Sequence, residues 1–253
     1  MHLLVADLPG SLRCAFTTRF RTGDDGRLCD FDLSRTPDDP PSPSSPDRSA
    51  LGEALAALDG AAGDGPRLVS PQQVHGVRVV GTAEYVRAGA SSGCDGLTVA
   101  LPLDDGLAAL LLFADCVPIV LIGEVDAAVV HAGWRGLVGG VAQQGARAMT
   151  GPPAAAVIGP SIGPCCFAVG DEVAEAFAGR YGAEVVLPGP RVDLWTAAVR
   201  AVGEVGVSPA RVTNPRLCTM CNNDLFYSYR AEGPSAGRHG AVLWAAGPVA
   251  PTR

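Results

Sequence analysis

The chain has 253 residues, with 19 basic and 26 acidic side chains and a net charge of −7 at pH 7. All 19 basic residues are arginine, which excludes a Walker-type phosphate lysine and any lysine-linked pyridoxal or Schiff-base chemistry. With 47% hydrophobic and 18% charged residues the chain can bury a sizeable core, and a pI near 5.0 points to a small substrate rather than nucleic acid.

The N-terminal MHLLVADLPG carries acid where a signal peptide needs basic residues, and Leu12–Thr17 reads as a strand. Residues 37–47, PDDPPSPSSPD, hold five prolines and predict a mobile loop. A helix follows over 48–58 with Asp47 as its N-cap, and Arg78–Val80 reads as a strand. Three apolar runs, Leu107–Phe113, Val117–Ile122 and Asp126–His131, have the length and continuity of buried strands. The longest of them is far short of a membrane span. A helix is expected over 136–149, a strand at Ala154–Ile158, helices over 170–179 and 193–202, and a last strand at Ala241–Trp244. Asp193 opens the last of these helices. The alternation describes one domain over 1–253, α/β or mixed α+β. A cytoplasmic protein with reduced thiols and no membrane partner is expected, a monomer or small homo-oligomer.

Chemistry concentrates in a few positions at strand ends and in glycine-containing turns. His75 lies in SPQQVHG, His131 in HAGWRG and Cys116 in ADC. A side chain at a strand tip beside glycine faces open space that a ligand can enter. Each alone has an ordinary explanation, a turn histidine or a small buried cysteine. Together His75, Cys116 and His131 are a zinc ligand set with a fourth position left open. Their separations of 41 and 15 residues match no local zinc motif, so spacing leaves their convergence open.

Cys218 and Cys221 form a CxxC, readable as a redox pair, half a structural zinc site, or reduced structural thiols. The last reading is favoured, because the other available pair is the adjacent Cys165–Cys166, whose side chains are expected to diverge. Arg135, at the entrance to a predicted helix, suits a phosphate or carboxylate, or is simply an exposed helix-start arginine. Arg19 and Arg48 are further anion-binding candidates. Arg230 and Arg238 are as readily structural.

Taken in order, SPQQVHG, CDGLTV, ADCVPIVL, VVHAGWRGL, IGPSIGPCCFAVG, LCTMCNNDLFYSYR and GRHG resemble the bacterial laccase-domain proteins. These were once called multicopper polyphenol oxidases and are now described as purine nucleoside phosphorylases. The likeness runs from about residue 10 to 245. It implies a single α/β domain with a central mixed sheet flanked by helices, and one zinc on His75, Cys116 and His131. It implies phosphorolysis of adenosine, inosine, guanosine or methylthioadenosine, with purine nucleosides and phosphate as ligands, and deamination of adenosine. Zinc lowers the pKa of a bound water from about 15.7 to roughly 7, the chemistry that deamination requires. Arg135, with Arg48, would hold phosphate, and Asp115 is a candidate to orient a ligand or move a proton. Asp32 and Asp47 stand where the family usually has asparagine. Two alternatives use the same residues: a copper-dependent phenol oxidase, since copper also accepts a His–Cys–His set, and a cysteine hydrolase editing peptidoglycan precursors with Cys116 as nucleophile.

Overall fold

A computed structural model describes residues 2–8, 11–23, 25–34, 46–60, 65–89, 92–101 and 106–246. In chain order they form β1 (Leu3–Asp7), β2 (Leu12–Thr17), β3 (Phe20–Thr22), β4 (Leu28–Asp30), α1 (Pro46–Leu58), β5 (Arg67–Val69), β6 (Val79–Gly81), α2 (Thr82–Arg87), β7 (Gly96–Ala100), β8 (Leu107–Phe113), β9 (Val117–Ile122) and β10 (Asp126–Ala132). There follow α3 (Trp134–Gly139), α4 (Val141–Ala148), β11 (Ala155–Ile158), α5 (Asp171–Tyr181), β12 (Val186–Leu187), β13 (Arg191–Val192), α6 (Leu194–Gly203), β14 (Val212–Thr213), α7 (Tyr229–Glu232) and β15 (His239–Ala245).

The fold is mixed α/β, and its sheet is divided in two. One sheet has the order β1-β2-β15-β8-β5 and the other β14-β11-β9-β10-β7-β6. Both are antiparallel at their centres, with parallel pairs at β5–β8, β6–β7 and β11–β14. The reason is legible in the two-sided burial of the apolar strands. Successive side chains of a strand point to opposite faces. In β9 and β10, Val117, Ile119, Leu121, Ala128 and Val130 face a helical layer that includes Val141, Phe177 and Ala198. Their neighbours Val120, Ile122, Ala127 and Val129 face Phe16, Leu111 and Leu243 of the five-stranded sheet. The outer face of that sheet, Ala15, Leu110, Val242 and Trp244, packs on Leu51 and Leu55 of α1. The result is four layers: α1, five strands, six strands, and the helices α3 to α6.

Most predicted elements are present with ends shifted by a residue or two. Asp193 caps α6, its carboxylate accepting from Thr196 N at 3.0 Å. Two elements differ. The helix expected over 136–149 is the pair α3 and α4, broken at Gly140, whose φ of +89° lies in the left-handed region that glycine tolerates. Helix α1 begins at Pro46, so Asp47 lies in its first turn. The Asp47 carboxylate accepts from Arg21 Nε and Asp32 N, each at 3.1 Å. The mobile loop predicted at 37–47 falls, apart from these two residues, outside the described residues. Among the described residues no helix is long and apolar enough to cross a membrane.

Candidate active site

Where β8 leaves the five-stranded sheet and β9 enters the other, only three residues connect them, and Cys116 is the last of the three. His131 is the penultimate residue of the neighbouring β10, and His75 lies on the segment between β5 and β6. The ligand atoms of His75, Cys116 and His131 all lie within 4.8 Å of one another, and the two imidazole rings meet edge to face at 4.8 Å. Gly133 makes this approach possible. A Cβ at that position would sit 2.8 Å from His75 Cδ2 and 3.3 Å from Cys116 Sγ, closer than a methyl group can come to the ring without displacing it.

Asp95, fully buried immediately before β7, organises two of the three. Its Oδ1 meets His131 Nδ1 at 2.9 Å and accepts from His75 N at 2.9 Å, while Oδ2 accepts from Gly76 N at 2.7 Å. These backbone bonds hold His75 at a φ of +58°, a conformation costing of order 1–3 kcal/mol at a non-glycine residue. Burial alone would push the Asp95 carboxyl up, but His131 and the backbone N–H groups hold it below the usual carboxylate range. Burial would likewise push the Cys116 thiol up, yet His131 and His75 bring it down to about 6. Burial works against a charged His131, but the Cys116 and Asp95 charges outweigh it and lift the imidazole to about 9. The pair thus favours a thiolate at Cys116 beside an imidazolium at His131.

This cluster lies in the wall of a cavity of about 940 Å³, at the upper end of the range for small-molecule sites. Asp115, at a φ of +89°, also lines it. Its two carboxylate oxygens accept from Thr219 Oγ1 and from Arg230 N, both at 2.6 Å. Asp115 thus pins the segment after β14 and the start of α7 against the Cys116 turn. Arg230, Arg238, Phe167 and Tyr229 also line the cavity, and the Arg230 guanidinium lies over the Phe167 ring, 5.4 Å from its centre.

A family model described as multi-copper polyphenol oxidoreductase laccase matches residues 13–246. The chain belongs to this laccase family. Adenosine deaminase RL5, from an unknown prokaryotic organism, is 35% identical over 192 residues, 68% of this chain and 72% of that protein. Purine nucleoside phosphorylase YlmD of Geobacillus stearothermophilus is 31% identical over 194 residues, 68% of this chain and 70% of that protein. The crystal structure of the Neisseria meningitidis protein NMB0706 superposes with a TM-score of 0.79 at 28% identity, covering 98% of this chain and 100% of that one.

Within this laccase-family chain the structure brings His75, Cys116, His131 and Asp115 to one cavity. The three predicted anion-binding arginines are not among its lining residues. Arg135 is exposed and stacks on Trp134, 4.4 Å from the ring centre. Arg48 is buried, donates to Leu33 O at 3.2 Å and borders a separate cleft with Glu53. Arg19 pairs with Glu232 at 3.2 Å and lies over the Tyr227 ring. Among the described residues the arginines lining the cavity are Arg230 and Arg238, which the sequence left as readily structural. Asp95 was also missed as a functional position. A carboxylate between a cysteine and a strand-opening glycine, in CDG, is its only local signal.

Proposed function

We propose that the chain is a zinc-dependent purine nucleoside phosphorylase that also deaminates adenosine, with zinc held by His75, Cys116 and His131. The reading includes adenosine, inosine, guanosine and methylthioadenosine as nucleosides. It is carried by one observation, the meeting of two imidazoles and one sulfur under the methyl-free Gly133 at a cavity wall. The residues fit the metal. Imidazole and thiolate are zinc donors and three of them leave a fourth position open. Asp95 engages Nδ1 of His131, which leaves Nε2 as the donor atom. Zinc held there supplies a Lewis acid and brings the pKa of a water toward roughly 7.

The rest of the work falls to the chain itself. Arg230 and Arg238 supply the positive charge that a phosphate requires in this cavity. Phe167 and Tyr229 offer faces for a planar base. Asp115 is a positioning residue: with both oxygens engaged, it fixes the backbone of Arg230 rather than carrying a proton. The test is metal content together with product analysis. Wild-type protein should hold zinc and give three purine products: hypoxanthine with ribose 1-phosphate from inosine and phosphate, adenine with ribose 1-phosphate from adenosine and phosphate, and inosine with ammonia from adenosine and water. Cys116→Ala should lose the metal and all three products, and phosphorolysis persisting without metal would remove zinc from that reaction. Copper at well below one per chain in the same analysis disposes of a phenol oxidase.

A second reading is favoured by a specific feature, a Cys116 thiol drawn down by a neighbouring His131 that is itself backed by Asp95. Those three groups suit a cysteine hydrolase acting on peptidoglycan fragments. Activity that survives chelation and is lost on alkylation would select it.

A further inference from the structure

A second cluster lies outside the cavity wall just described. Cys165 and Cys166 sit between β11 and α5, and Cys218 and Cys221 between β14 and α7. The two segments run side by side. Ser161 bridges to Cys218, Ser161 N donates to Leu217 O, and Thr219 N donates back to Ser161 O at 3.1 Å. Adjacent cysteines are expected to diverge, which favours separate thiols. Here the chain turns tightly, with Cys166 N and Phe167 N both donating to Gly163 O at 3.0 Å. That turn brings both sulfurs to Cys221, at 3.5 Å for Cys165 and 3.4 Å for Cys166. All four sulfurs lie within 4.8 Å of one another, and all four are free thiols.

We propose that Cys165, Cys166, Cys218 and Cys221 form a closed tetrathiolate site for zinc, separate from the His75–Cys116–His131 centre. Four sulfurs about 2.3 Å from a tetrahedral zinc stand about 3.8 Å apart, close to the spacing already present. Two backbone N–H groups point at the most buried sulfur, Gly163 N at 3.2 Å and Cys221 N at 3.5 Å from Cys218 Sγ. Such donors stabilise the negative charge of a coordinated thiolate. On binding, the thiols release their protons to solvent as four metal–sulfur bonds form. With four protein ligands no position is left for substrate, so the site is structural. Its purpose follows from what it ties together. Thr219, inside the CxxC, holds Asp115, and Phe167, next to Cys166, lines the cavity. The ion therefore clamps two walls of the active site.

The experiment uses full-length His75→Ala, which disables the other centre, purified with reductant and zinc, then passed through gel filtration. X-ray absorption at the zinc edge is expected to show one retained zinc per chain with four sulfur neighbours at about 2.3 Å. Adding Cys165→Ser and Cys221→Ser should remove that zinc. No retained zinc, or zinc with nitrogen and oxygen neighbours, overturns the proposal. So does an intact mass without reductant that shows a disulfide among the four in place of metal. If the serine variant does not fold, the His75→Ala spectrum still decides. In wild-type protein the sulfur count distinguishes this site from the histidine-containing one, so the two zinc readings fail independently.

Discussion

At the scale of single residues, Asp95 and Gly133 set the geometry without being ligands. Replacing Asp95 by Asn removes the charge behind His131 and leaves one acceptor oxygen where the carboxylate uses two, so either the Gly76 N bond or the His75 N and His131 bonds are lost. Loss of such a partner usually lowers metal affinity 10–100-fold, and competition with a chromophoric chelator would read that drop directly. Gly133→Ala puts a methyl group where the His75 ring lies, and the variant should fold yet bind markedly less zinc in the same titration. Asp32 offers a test of charge rather than shape. Its Oδ1 accepts from Ser34 N and Arg238 N, both at 2.8 Å, bonds that an asparagine oxygen reproduces. Asp32→Asn therefore removes one negative charge from a cavity that also holds Arg230 and Arg238. An interaction of about 1 kcal/mol corresponds to a fall of about fivefold in the KM for phosphate, and an unchanged KM would place the anion elsewhere.

The ligands themselves stood out in the sequence because histidine is scarce, four in 253 residues, and His75 and His131 each lie within two residues of a glycine. Their helpers did not. A carboxylate such as Asp95 acts through backbone bonds to a segment twenty residues away, and the Arg230 backbone N is held by Asp115, 115 residues earlier in the chain. Neither relation leaves a local pattern.

At the scale of elements, strand positions were largely readable because β8, β9 and β10 are continuous apolar runs bounded by polar turns. What such a run conceals is which partner each face meets, and hence the division into two sheets. The long helix expected over 136–149 failed for a local reason, since Gly139–Gly140 permits a left-handed residue that ends one helix and begins another. Forcing the point, Gly140→Ala should destabilise the protein by about 1–2 kcal/mol, a fall in Tm of a few degrees at this chain length. An unchanged Tm would mean the break relaxes into a continuous helix.

At the scale of the whole molecule, the interface between core and site carries a buried titratable group. His239 lies between Phe113 and Phe226, and neither ring nitrogen has a hydrogen-bond partner among the described residues. Burial, aided by Arg238, pushes its pKa down to about 3, whereas an unfolded histidine titrates near 6.5. The folded pKa is the lower, so the stability tied to a neutral His239 is complete above about 6.5 and is lost as pH falls toward 3. Each pH unit in that window costs about 1.4 kcal/mol from this group. His239→Phe should flatten the acid limb of stability measured by denaturant titration between pH 6.5 and 4.5. Identical slopes for the two proteins would assign acid sensitivity to other groups.

The five-stranded sheet has one further consequence, concerning the order in which the polypeptide is made. Its central strand is β15, lying between β2 and β8, although among the described residues β15 is the last strand in chain order and β2 the second. The outer strands of that sheet are therefore translated long before the strand that joins them. About 220 residues separate β2 from β15, so at about 5–20 residues per second β2 waits roughly 10–40 s for its neighbour to be synthesised. Until then β2, and β8 once it has been made, each keep the edge that faces β15 with its backbone N–H and C=O groups unpaired, and a nascent chain is open to mispairing and to chaperone capture until its closing strand leaves the ribosome.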